Sequence, residues 1–286
     1  MDNMSNGVMV ITAGGSGQPV QYPPGVAPWG WPVSGLLVGM VCASNGGDDT
    51  NAESRARGTI NLQGGTITNN YHLILGANGG TGTVIQSGGN MIHRPVDTNR
   101  ITIIGYGYGT NSYSGAGHGT YEMSAGTFAT PARVFVGGVS TNIQWYAKPG
   151  AVGMLKVAGG SFTCSNTVYV GDNGIGMLVI GANGTVTVGN LEVTNATSTM
   201  RFEFGPEGIG TLVVTNELRV SSASKLEVNL GPYPGTGLIK LLDCKTRSGA
   251  FAATNITIVG AGALVDQTLD EDIYVRIASG TLILIR

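Results

Sequence analysis

Charge is what this 286-residue chain has least of. Asp, Glu, Lys and Arg together make up 11% of it, and the net charge is −2. That balance gives no electrostatic footprint for nucleic acid or for an anionic membrane surface. Combined with 42% hydrophobic residues, it also argues against disorder. Cysteine is scarce as well: Cys42, Cys164 and Cys244 fall in no metal or redox spacing. Cys164 shares a strand face with Phe162 and reads as a buried thiol. No apolar run is long enough for a membrane span, since the longest, Val33 to Ala43, is broken by Ser34, Gly35 and Gly39. Met1 to Asn6 lacks a basic stretch ahead of an apolar one, so no signal peptide is visible. No segment has a convincing helical period.

Residues for chemistry are equally thin. Glu122, Asp172, Glu192 and Glu203 sit in different strands or turns, whereas a polysaccharide lyase or hydrolase needs carboxylates gathered in one groove. His72, His93 and His118 are scattered and form no ligand pair. Asp266, Asp270, Glu271 and Asp272 lack the regular loop of a calcium site and read as a solvated turn. Gly105 to Gly109 is too short a match for a phosphate loop, and no helix follows it. The expectation is a protein that is not an enzyme and carries no cofactor or metal.

Glycine is abundant, with 48 residues, and it recurs in one phrase. Gly58-Thr59-Ile60-Asn61-Leu62, Gly64-Gly65-Thr66-Ile67-Thr68 and His72-Leu73-Ile74-Leu75-Gly76 form the first copy. Further copies open at Gly82, Gly119, Gly153 and Gly176. The middle glycine follows the first by seven residues in Gly65, Gly89, Gly126 and Gly160, and by eight in Gly184. The closing residue follows by eighteen in Gly76, Gly137, Gly171 and Thr194, while Gly105 comes five residues late. Fixed internal spacing with variable gaps describes stacked units with insertions at one corner.

Each copy holds three short β runs. In the first run apolar residues alternate with polar or flexible ones (Ile60/Leu62, Tyr121/Met123, Leu155/Val157, Leu178/Ile180), which buries one face and wets the other. Gln86 breaks that pattern. The middle run places Ile67, Met91, Phe128, Phe162 and Val186 inward. The third offers Leu73/Leu75, Val134/Val136, Val168/Val170 and Leu191/Val193. Three such strands cannot close a core alone but can when stacked. The fold expected is all-β: a β-solenoid, or parallel β-helix, of about seven coils. Residues 201–204, 211–214 and 218–220 extend the pattern to a sixth coil. Residues 225–230, 238–242 and 256–259 extend it to a seventh. Ile273 to Ile277 and Thr281 to Ile285 read as a closing hairpin.

Three regions follow: an N-terminal cap or assembly segment (1–57), the solenoid repeats (58–230), and a C-terminal coil with its capping hairpin (231–286). Within the first, Val8, Met9, Val10 and Ile11 form a strand that either caps its own coil or adds to a neighbouring subunit. The insertions after the third run carry Tyr106, Tyr108, Tyr113, Trp145 and Tyr146. These rings either pack over the flank or form a contact surface for glycan or protein.

The phrases Gly64-Gly65-Thr66-Ile67-Thr68, Gly210-Thr211-Leu212-Val213-Val214 and Leu73-Ile74-Leu75-Gly76-Ala77-Asn78-Gly79-Gly80-Thr81-Gly82 resemble the β-strand repeats associated with autotransporter passengers and with large bacterial surface proteins. The resemblance covers residues 58 to 230. It implies a non-catalytic protein of the cell surface or the extracellular space. The main expectation is therefore a structural protein whose partner is itself, assembling head-to-tail. The alternatives are an adhesin or glycan-binding module, or a polysaccharide-degrading tail spike.

Overall fold

The computed structural model describes residues 6–11, 35–40, 57–77, 79–97, 99–107, 116–139, 149–260 and 262–278. No α-helix occurs among them. The chain winds through successive levels of parallel strands. The outermost level holds β1 (Asn6–Ile11) and β2 (Gly35–Met40). Below it lie β3 (Arg57–Leu62), β4 (Thr66–Asn69) and β5 (His72–Ala77), then β6 (Thr81–His93) with β7 (Thr102–Tyr106), then β8 (His118–Thr130) with β9 (Val134–Val136). The next two levels are single long strands that bend at the corners, β10 (Ala151–Val170) and β11 (Gly174–Val193). Then come β12 (Ser198–Glu203) with β13 (Thr211–Val220), β14 (Lys225–Asn229) with β15 (Gly237–Ser248), and β16 (Ile256–Val259).

Pairing between levels is parallel and in register. Leu155 pairs with Tyr121 on one side and Leu178 on the other, and Phe162 with Phe128 and Val186. The repeat copies of the sequence are therefore the coils of the solenoid. The alternation read in the first run is the inside-outside alternation of the wall: Ile60, Leu62, Tyr121, Met123, Leu155, Val157, Leu178 and Ile180 are all buried in one continuous core. The middle-run residues Ile67, Met91, Phe128, Phe162 and Val186 join them there. Tyr121 stacks on Phe128 at 4.8 Å, and Phe128 meets Phe162 edge-on at 5.2 Å. Fully burying each Leu, Val, Ile or Phe stabilises the stack by roughly 1.5–3 kcal/mol, and this offsets the ordering of the short strands.

Gln86 sits at an inward position and is fully buried. Its amide donates to the carbonyls of Gly89 and Thr127, both at 3.0 Å, and its oxygen accepts from the Tyr121 hydroxyl at 2.7 Å. Tyr121 and Gln86 are neighbours in consecutive coils, so the polar exception in one copy satisfies the hydroxyl in the next.

Two glycine positions meet at the corner between the third and first runs. Gly76, Gly105 and Gly137 close their copies at positive φ, a conformation that costs other residues. Each also lies against the backbone that opens the copy two levels on. A Cβ at Gly137 would stand 2.2 Å from the Ile175 carbonyl oxygen and 2.6 Å from the Gly176 nitrogen. Serine replaces the opening glycine at the sixth and seventh coils. The Ser198 hydroxyl donates to the Val170 carbonyl, and the Ser224 hydroxyl to the Val193 carbonyl at 2.6 Å. The eight-residue spacing in the fifth copy is one extra residue at the next corner, between Ile180 and Asn183. There Gly184 takes no positive φ, unlike Gly160 above it.

The C-terminal end differs from the sequence expectation in three places. The middle and third runs of the seventh coil are Asp243–Cys244 and Thr246–Ser248, beneath β13. Residues 237–242 leave the stack and pair antiparallel with β18 (Ile273–Ile277), whose other edge holds β17 (Ala263–Asp266). Residues 256–259 lie in register beneath β14, so they are the first run of an eighth level and not the third run of the seventh. The physical reason is pairing: 238–242 alternates well enough for a coil strand, but the antiparallel hairpin of β17 and β18 offers it an edge. That hairpin sends Ile273, Val275 and Ile277 into the main core. The hairpin expected between residues 273–277 and 281–285 is also replaced: β15 and β17 take the two edges of β18, and residues 281–285 lie outside the described residues.

Candidate functional site

The sequence candidates are distributed as follows. Val8, Met9, Val10 and Ile11 belong to β1, which pairs in parallel with β3 of its own chain, Met9 beside Ile60 and Ile11 beside Leu62. Among the described residues nothing pairs with the outer edge of β1. Tyr106, read as a surface contact, is buried at 8% exposure in a second apolar cluster. Tyr108, Tyr113, Trp145 and Tyr146 lie outside the described residues.

That second cluster is on the outside of the third-run wall. Ile74, Ile103 and Phe135 occupy successive outward positions and are buried with Ala77, Ile101, Tyr106 and Val139. Tyr169 continues the line, its ring parallel to that of Phe135 at 4.6 Å. One level further the outward residue becomes Glu192, then Arg219. The apolar flank thus changes to a charged one within two coils.

The change creates a groove of about 150 Å³ lined by Thr167, Asn190, Glu192, Glu217 and Arg219. Arg219 bridges both acids, with its Nη1 3.3 Å from Glu192 Oε1 and its Nη2 2.9 Å from Glu217 Oε2. Asn190 donates to Thr167 Oγ1 at 3.3 Å and accepts the Glu217 backbone N–H at 3.3 Å. Burial raises the Glu192 carboxyl above its usual range. Arg219 opposes that, while Asp172 and Glu217 add to it. Glu192 and Glu217 therefore share one groove, with Asp172 near enough to act on Glu192. The sequence places these acids 20 to 45 residues apart, and only the coil length brings them together.

His72 and His93, scattered in the sequence, come together at the corner between the middle and third runs. The Ile101 N–H donates to His72 Nδ1 at 3.2 Å, so the neutral ring carries its proton on Nε2. That Nε2 faces Arg100 Nη1 at 3.4 Å. His93 Nε2 contacts the Tyr71 carbonyl, which can only accept, so its proton is on Nε2 too. Its Nδ1 then accepts from Thr102 Oγ1 at 2.8 Å and Thr130 Oγ1 at 3.2 Å. Burial, the Arg100 charge and the neighbouring His93 hold His72 down to about 4, and burial holds His93 down to about 4. The five extra residues of the second copy build this corner: they precede Gly105 and supply Asp97 and Arg100. Arg100 Nε is 3.3 Å from Asp97 Oδ2 as an ion pair, without hydrogen-bond alignment. No group of three or more His, Cys, Asp or Glu suited to a metal occurs among the described residues.

Compared with protein-family models, curated proteins and solved structures, the chain matches none. The resemblance to surface-protein repeats rests on the quoted residues alone.

The acidic run 266–272 is folded around Arg247, whose guanidinium donates to the carbonyls of Gln267, Asp270 and Asp272. A side-chain cation thus occupies the carbonyl cluster expected to be a solvated turn. Cys164 and Cys244 are free and buried. Burial pushes the Cys164 thiol up to about 12 and the Cys244 thiol up to about 11, so neither is a ready thiolate. No helix among the described residues is long and apolar enough to cross a membrane.

Proposed function

We propose that this chain is a non-catalytic structural solenoid that assembles head-to-tail, at a cell surface or in an extracellular fibre. One observation carries the reading. The first-run wall is a single parallel column of nine strands, β1, β3, β6, β8, β10, β11, β12, β14 and β16. Among the described residues nothing pairs with the outer edge of either end strand. Unpaired edges recruit strands, and proteins that stay monomeric blunt or cover them. Two edges facing opposite ways along one axis make a contact between unlike surfaces, and repetition of such a contact that does not close yields a filament. Electron microscopy and sedimentation of the purified protein are expected to show linear assemblies whose length rises with concentration. Removing residues 1–14 is expected to abolish them. Monodisperse monomers from the intact chain at high concentration would remove the proposal.

The groove favours a second reading, binding of a saccharide on the flank. It offers donors from Arg219 and Asn190, acceptors from Glu192 and Glu217, and the partly buried ring of Tyr169 beside them, a combination suited to polyhydroxylated rings. Tyr169→Ala and Arg219→Ala are each expected to weaken binding of a neutral oligosaccharide at least tenfold in calorimetry. A wild-type protein that gives no heat with a panel of neutral, amino and acidic oligosaccharides would eliminate this reading.

A further inference from the structure

The joint between copies follows from the register, and it rests on the head-to-tail reading above. Each strand of the first-run column is aligned with the next without slippage. Met9 is in register with the line of inward positions that runs through Ile60, Leu155, Leu226 and Ile256. Val10 is in register with the adjacent line of outward ones, Asn61, Lys156, Glu227 and Thr257. At the lower end the column stops on an unfinished level. Ile256 and Ile258 point inward but are only partly buried, whereas Leu226 and Val228 directly above them are fully buried. Beside β16 a recess of about 260 Å³ opens between Phe251, Ile256, Leu264 and Val265. β17 lines this recess, but its strand partner is β18, which pairs with β15, so among the described residues no strand pairs with the open edge of β16.

We propose that β16 of one copy pairs in parallel with β1 of the next, with Thr257 beside Val10 and Ile256 beside Met9. The occupant is a second copy of this chain, because β1 has what the unfinished level needs. It runs in the column's own direction, starts in the column's own register, and in that register places Met9 and Ile11 opposite Ile256 and Ile258. An isologous dimer through two β1 edges would be antiparallel and would leave the lower level open, so the geometry favours the heterologous joint.

Cysteine cross-linking tests it. In a Cys42→Ser background, Val10→Cys and Thr257→Cys are made singly and together; the buried Cys164 and Cys244 contribute little thiolate. Neighbouring strands in a sheet are about 4.8 Å apart, within the Cα separation a disulfide spans. The double variant is expected to give a ladder of covalent multimers on mild oxidation, and a mixture of the two single variants a heterodimer only. As an independent readout on the unmodified protein, the Ile258 amide, which alternates away from β14 and onto the open edge, is expected to exchange at least tenfold more slowly in assembled than in dilute samples, whereas Val259, facing β14, is expected to change little. Filaments by microscopy without the ladder or the protection would overturn this joint but leave the head-to-tail reading standing. Val10→Cys homodimers without the heterodimer would point to an isologous pair and overturn it. If removal of residues 279–286 were needed before the ladder formed, the chain's own end would be the occupant of β16 and the joint would fall. No filaments and no ladder would end both proposals.

Discussion

Gly137→Ala is expected to destabilise the fold by on the order of 3–5 kcal/mol, in the range reserved for a few severe mechanisms. Two costs coincide at this corner. The φ of +83° puts an alanine in the left-handed region, at roughly 1–2 kcal/mol. The new Cβ would also meet the Ile175 carbonyl oxygen at 2.2 Å, and backbone cannot swing aside as a side-chain tip can. Relief requires the third coil to move from the fifth, which loosens Val136 and Val170 in the core and the bond from Gly171 N–H to the Val136 carbonyl at 2.7 Å. Gly150→Ala separates the two costs. Its φ is +88°, but among the described residues the nearest atom to its Cβ is the Ala116 Cβ at 3.8 Å, so it is expected to lose only about 1–2 kcal/mol. Urea titrations of both variants measure the difference, with the slope expected to be unchanged. Equal losses would show that strain alone governs the corner.

Acid should loosen the second coil before it affects the rest of the solenoid. His72 and His93 titrate near 6.5 in an unfolded chain and are held down to about 4 in the fold. Between those values the unfolded state binds more protons, so stability falls as pH drops from about 6.5 to about 4 and levels off below. Each ring contributes on the order of 3 kcal/mol to that slope, and the two share one corner, so their contributions are not independent. Protonating His93 also forces Nδ1 to donate where it now accepts from Thr102 and Thr130. Denaturation midpoints at pH 7 and pH 4 are expected to differ strongly in the wild type. In a His72→Gln/His93→Asn variant the part of the slope between pH 6.5 and 4 should disappear. A variant with the same slope as the wild type would place the titration elsewhere, for example in the carboxylates.

The core was legible because the repeat supplied its own alignment. Once Gly58, Gly82, Gly119, Gly153 and Gly176 are superposed, inward residues fall at fixed offsets, and every one named for the first five coils is buried. Two kinds of feature were less legible. The outer apolar cluster was signalled by unbroken runs such as Leu73-Ile74-Leu75 and Val134-Phe135-Val136, since a strand buried on both faces loses its alternation. A two-residue period picks out only their inner residues. The groove and the histidine corner gave no local signal. Tyr169, Glu192 and Arg219 are single residues more than 20 positions apart, and they meet only because each coil returns the chain to the same place. The C-terminal level is hard to read for a related reason: residues 238–242 fit a coil strand as well as a cap strand, and the choice depends on β18, which lies far along the chain.

The stacking itself is best tested by nuclear Overhauser contacts between residues assigned to neighbouring coils. Amide-to-Hα contacts linking Leu155 to both Tyr121 and Leu178, and Phe162 to both Phe128 and Val186, are expected throughout residues 58–194. Short Hα–Hα contacts between strands across that region, the mark of antiparallel pairing, would contradict the solenoid.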